Sequence, residues 1–156
     1  MKQPERTLVK EYARKGLTLA TAESCTGGLI AKRITDVPGS SAVLCGGLVT
    51  YTNEAKTALL GVDPAIFARD TEVSHACAEA MAEGARLRLG TDVGVSTTGF
   101  AGPGGGTDRD PVGTVYIGVS TAQGTTSERF CAPAGATRSG VRTAAANRAL
   151  ELLLEI

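Results

Sequence analysis

Tryptophan is absent from this chain, and aromatic residues make up only 4% of it. That weakens any case for aromatic platforms that stack nucleic-acid bases. Histidine occurs once, at His75. A Ser-His-Asp triad or a histidine-assisted cysteine nucleophile would have to use that one residue, just after the start of a helix. Cys25, Cys45, Cys77 and Cys131 are widely spaced, without a C-x-x-C pair. Their spacing argues against a zinc site and suggests reduced thiols in the cytoplasm. An excess of one charge is missing too: 16 Lys+Arg face 16 Asp+Glu. No overall field recruits nucleic acid or an acidic membrane. No apolar run approaches the ~20 residues of a membrane span, and the opening "MKQPERTLVK" is too polar for a signal peptide.

What is present suits one soluble domain: 156 residues, 42% hydrophobic and 21% charged. The pattern alternates. Pro4 starts a helix that places Leu8, Val9 and Tyr12 on one face and stops at Gly16. "LTLATAE" reads as a strand, "TGGLIAKRITDV" as a helix and "SAVLCGGLVTYT" as a second strand. "NEAKTALLG" reads as a helix capped by Asn53 and closed by Gly61, and "SHACAEAMAEGARLRLG" as a longer one capped by Ser74. "DVGVSTTG" is a strand, "FAGPGGGTDRDP" a glycine-rich loop, and "VGTVYIGVSTAQGTTSERFCAP" a hairpin turning at Gln123-Gly124. A last helix spans Thr137 to Leu154. The expected fold is a three-layer α/β/α sandwich around a mixed sheet.

Four places could carry chemistry. At "AESCTGG" a strand runs into a helix through Ser24, Cys25, Thr26, Gly27 and Gly28. Such a turn aims free N–H groups at whatever sits above it, and the helix dipole favours negative charge there. Ser24 can attack a carbonyl at that point, or it can merely cap the helix. "YTNEAK" offers a base. With Asn53 as cap, Lys56 falls in the first helical turn, where the dipole and burial both lower a lysine's pKa, and Tyr51 stands beside it. The glycine loop resembles G-x-G-x-x-G, but a strand follows it rather than the helix a dinucleotide fingerprint needs. It can still cradle phosphate or ribose. Arg138 and Arg142, opening the last helix, are candidate anion ligands.

Together, "AESCTGG", "GGLVTYTNEAKTALLGV" and "GFAGPGGGTDRDPVGTVY" resemble the CinA C-terminal family, which includes nicotinamide-nucleotide amidohydrolases. The resemblance runs from about Leu8 to Leu154. It implies a stand-alone form without the family's companion N-terminal domain, a homodimer, no metal and no cofactor. It also implies hydrolysis of the carboxamide of nicotinamide mononucleotide. The alternatives are a nucleotide-binding module without turnover and an amidase for a different small amide. Matched by motif, Ser24 is the nucleophile, with Tyr51, Lys56 and Thr98 as its catalytic partners. Thr26, Gly27, Gly28, Gly102, Gly104, Gly105, Gly106, Thr107 and Arg142 are the expected substrate contacts.

The chain departs from the family pattern in three places. Asp110 replaces the lysine common before "PVG", removing a positive charge near the glycine loop. "AGATRSGVR" is one residue longer than usual, leaving the choice between Arg138 and Arg142 open. "RDTEVS" replaces the usual Gly-Ala-Val-Ser entry to the long helix, a change expected to be functionally silent.

Overall fold

The computed structural model describes residues 3–156; Met1 and Lys2, which begin the polar N-terminal stretch, lie outside the described residues. Helix α1, Pro4–Lys15, buries Leu8, Val9 and Tyr12, and ends at Gly16 in a left-handed conformation. Strand β1, Leu19–Glu23, is buried at every position, as a central strand covered on both faces must be. Helix α2, Leu29–Thr35, and a single 3₁₀ turn, Ser40–Ala42, lead to strand β2, Leu44–Val49. Then come α3, Asn53–Leu60; α4, Pro64–Asp70; and α5, His75–Leu89. Strands β3, Val93–Gly99; β4, Thr114–Thr121; and β5, Gly124–Cys131, complete the sheet before α6, Arg138–Leu153.

The strand order is β2-β1-β3-β4-β5. β1 runs parallel to β2 and β3, while β4 runs antiparallel to both its neighbours, β3 and β5, so the sheet is mixed. The β4–β5 hairpin turns one residue earlier than its sequence suggests. Thr121 pairs with Gly124, leaving Ala122-Gln123 as the two-residue loop. Helix α4 has no counterpart among the expected elements. It is seven residues long and buries none of them, so it carries no apolar period to read.

Successive β1 side chains alternate between two apolar clusters. Leu19 joins the one formed with α1, α2 and α6; Ala20 and Ala22 join the one formed with α3, α4 and α5. On the first face, the buried Tyr12 hydroxyl donates to the Leu153 carbonyl at 2.8 Å, tying the first helix to the last. On the second face α5 lies flush. A side chain on Gly94 of β3 would strike the Ala82 carbonyl, and one on Gly118 of β4 would strike that of Ala78. Among the described residues, no helix is long and apolar enough to cross a membrane.

Parallel pairing sets Glu23 between Val49 and Thr97. The segments that follow β1, β2 and β3 therefore emerge at the same end of the sheet, the end at which open α/β sheets build their sites. Ser24, Tyr51 and Thr98 arrive there together.

Candidate active site

Ser24 continues the β1 ladder: its N–H donates to the Thr97 carbonyl at 3.0 Å, and the chain then turns sharply. Gly27 and Gly28, with φ of 59° and 101°, take the left-handed backbone that this reversal requires. The α2 N-terminus, however, is not open to a ligand. The buried Glu23 carboxylate accepts the N–H groups of Ile30 and Ala31 and the Thr26 hydroxyl at 2.7–3.1 Å. The helix carries its own anion there, which corrects the expectation of an anion-binding dipole. Thr26 is fully buried, bonded to Glu23 and Thr97. Thr26, Gly27 and Gly28 support the turn from behind and do not line the cleft.

Lys56 reaches Ser24 from the neighbouring helix. The cap of α3 is Thr52, not Asn53: its hydroxyl accepts the Ala55 N–H at 3.1 Å. Lys56 thus sits one position deeper than expected, with its own N–H bonded to the Thr52 carbonyl. Its ammonium nitrogen donates to Ser24 Oγ at 3.3 Å, with Lys56 only 2% exposed and Ser24 9%. Burial holds the Lys56 amine below the ordinary lysine range, against the opposing pull of Cys77, Glu72 and Cys25. The same burial pushes the Cys25 thiol up to about 12 and that of Cys77 up to about 11, so neither is a ready thiolate.

A cleft of about 280 Å³ opens over this pair. Tyr51 lines it but is 59% exposed, and its hydroxyl accepts a 2.8 Å bond from Arg138 instead of bonding Ser24 or Lys56. Arg138 also donates to the Gly102 carbonyl at 2.7 Å, forming a strut across the mouth. Arg142 does not line the cleft. Its guanidinium donates to the carbonyls of Cys25 and Thr26 at 3.0 and 3.2 Å and holds the Ser24 turn from below. Of the two arginines, the one that lines the cleft is Arg138. Thr98 lines the cleft with its hydroxyl donated to the Glu72 carbonyl at 2.7 Å.

The glycine loop contributes Gly102 and Gly104 to the lining, whereas Gly105, Gly106 and Thr107 lie outside it. Thr107 and Asp110 bond each other through both their chain segments. Asp110, 2% exposed, is a hub that accepts from Tyr116, Arg129 and Arg109. Burial alone would raise its carboxyl, but those three donors hold it below the ordinary range. His75 lies outside the cleft, bonded to Ser127. No group of three His, Cys, Asp or Glu side chains suited to a metal occurs among the described residues.

Fold and site define a three-layer α/β domain with a buried Ser–Lys pair at the common end of its parallel strands. The chain belongs to the CinA family: the model of the CinA C-terminal domain matches residues 1–156. A CinA-like protein from Myxococcus xanthus is 54% identical over 148 residues, covering 94% of this chain and 34% of that protein. One from Geobacter sulfurreducens is 51% identical over 96% of this chain and 36% of its own length. The chain thus spans about a third of the length of these relatives. The crystal structure of competence/damage inducible protein CihA from Agrobacterium tumefaciens superposes with a TM-score of 0.94. It is 39% identical, covering 99% of this chain and 93% of that one. A CinA superfamily protein from Klebsiella pneumoniae gives 0.92 at 30% identity, covering 97% and 94%.

Proposed function

We propose that this domain hydrolyses the carboxamide of nicotinamide mononucleotide, giving nicotinate mononucleotide and ammonia. The reading rests on one observation: the buried 3.3 Å contact between Lys56 Nζ and Ser24 Oγ. A lysine buried with its charge disfavoured costs stability, and a module that only binds has no use for one. A serine nucleophile does, because neutral lysine accepts the proton that serine must lose.

In this scheme Ser24 Oγ bonds to the amide carbon as its proton passes to Lys56 Nζ. Charge develops on the carbonyl oxygen beside the N–H group of Cys25, which lines the cleft and carries no hydrogen bond to other described residues. The C–N bond then breaks, Lys56 returns the proton to the leaving nitrogen, and ammonia departs. Water attacks the acyl-serine, its proton again passing through Lys56, and the carboxylate is released. Arg138 at the mouth is the group placed to meet the phosphate.

The test is ammonia release from nicotinamide mononucleotide beside a panel of small amides. Turnover of the mononucleotide that is lost in Ser24→Ala supports the reading. Turnover on other amides alone reassigns the substrate. Binding of the mononucleotide with no turnover on any amide leaves a nucleotide-binding module.

A further inference from the structure

Glu72 lines the cleft beside Ser24, Lys56 and Phe100. Its backbone is locked. Thr71 before it adopts φ 68° and ψ 170°, a conformation almost confined to glycine that persists only where its surroundings impose it. Here the Thr71 N–H donates to the Phe67 carbonyl, its hydroxyl donates to the Val73 carbonyl, and its own carbonyl accepts from Ser74 Oγ. Thr98 Oγ1 then fixes the Glu72 carbonyl itself.

The result is an acid held at the reaction centre without a partner. The Glu72 carboxylate makes no hydrogen bond or ion pair with any described residue, yet its charge reaches Lys56 and Cys77. Among the described residues, no other Asp or Glu lines the cleft. The lining also holds Tyr51, Phe100, Lys56 and Arg138, but burial disfavours the Lys56 charge, and Arg138 is engaged by the Gly102 carbonyl and Tyr51 at the mouth. A free carboxylate and an aromatic ring in one cleft suit a flat cationic ring.

We propose that Glu72 is a specificity-determining residue that selects amides carried on a positively charged ring over the same amides on a neutral ring. The inference rests on the amide-hydrolase reading above. A pyridine ring quaternised on its nitrogen carries a permanent positive charge, and its dihydro form does not. The two differ little in size, so charge is what Glu72 can distinguish.

Two measurements separate this inference from the reading beneath it. The first is binding in a Ser24→Ala background, where turnover does not intrude. Titrate 1-methylnicotinamide, which is cationic, against nicotinamide, which is neutral. The cation should bind about tenfold more tightly with Glu72 present, and Glu72→Gln should erase that preference while Glu72→Asp retains part of it. Equal binding of the two rings with Glu72 in place overturns the inference, whatever the enzyme hydrolyses. The second is kcat/KM for nicotinamide mononucleotide and its dihydro form. Glu72→Gln should raise KM about tenfold for the cationic substrate alone, with kcat largely kept. A loss equal for both substrates, or only a shift of the pH profile common to both, would show that Glu72 acts through Lys56 and not on the ring. Absence of ammonia from wild type on either mononucleotide would sink the functional reading and leave the binding result to decide Glu72.

Discussion

The guanidinium of Arg142 spans from α6 to the carbonyl oxygens of Cys25 and Thr26, joining residues more than 110 positions apart beneath the nucleophile turn. A side chain on Gly27 would come within 3.0 Å of that same guanidinium, so turn and arginine are fitted to one another. Arg138, one helical turn earlier, faces the cleft instead.

The two arginines should therefore fail differently. Arg142→Ala should lower stability by about 2–3 kcal/mol, through the loss of two charge-assisted bonds, and should depress kcat by loosening the turn. Arg138→Ala should leave the melting temperature nearly unchanged and cost roughly 10- to 100-fold in kcat/KM, expressed chiefly in KM. Thermal melts beside steady-state kinetics check the pair; a KM effect confined to Arg142→Ala would reverse the assignment.

Lys56 sets the pH dependence. Its folded-state pKa lies below the ordinary lysine value of about 10.4, so kcat/KM should rise with pH through an apparent pKa under that figure. The unfolded chain binds more protons at this position between the two values, so stability should also increase with pH across that window. Lys56→Arg should abolish turnover while keeping the charge, because guanidinium does not release its proton in this range. Near-normal rates in a folded Lys56→Arg protein would mean that Lys56 serves only as a fixed positive charge.

Cys25 adjoins Ser24, the proposed nucleophile, but should not replace it. With its thiol pushed up to about 12, thiolate is scarce at neutral pH. Cys25→Ala should retain substantial turnover, whereas Ser24→Ala should lose nearly all of it. The opposite ranking would make the cysteine the attacking group.

Asp110 governs the acid side. Its folded-state carboxyl is depressed, so its contribution to stability is complete above the ordinary value of about 3.9 and is lost as pH falls through the depressed one. Asp110→Asn should cost about 2 kcal/mol at neutral pH and flatten the acid limb of the stability curve. Melting temperatures of wild type and variant should converge as pH drops below the carboxylate range; parallel curves would show that Asp110 is not the titrating group.

The Ser–Lys pair was legible because each member sits at a boundary marked by local chemistry: Ser24 where an apolar strand meets Gly27-Gly28, Lys56 just inside a capped helix. The α/β/α layering was legible for the same reason, since alternating periods announce it. What escaped reading depends on contacts that only the folded chain makes. Glu23 looks like the last residue of a strand, and only the fold brings its carboxylate under the N–H groups of Ile30 and Ala31. Arg138 and Arg142 share one helix start, and only their different neighbours tell strut from brace. Helix α4 did offer a sign, Asp63 capping Ala65 with Pro64 at the first position, but no apolar stripe accompanied it. The "RDTEVS" segment reads as functionally silent because nothing in its sequence shows that Glu72 lines the cleft.

The flush seating of α5 has a dynamic consequence. Where alanine carbonyls rest on Gly94 and Gly118, no side chain stands between helix and sheet to act as a cushion. Helix α3 is seated on α5 in the same manner, with the Leu60 carbonyl filling the space a side chain on Gly84 would need. The floor that carries Lys56 therefore has nowhere to slide. The entrance differs, for it is spanned only by Arg138, Tyr51 and the Gly102 carbonyl, with Tyr51 largely in solvent. The freedom to rearrange is thus greatest at the rim, where two side chains close the contact. Exposed rotamers rearrange on the order of picoseconds to nanoseconds, while Lys56 below stays in register with Ser24.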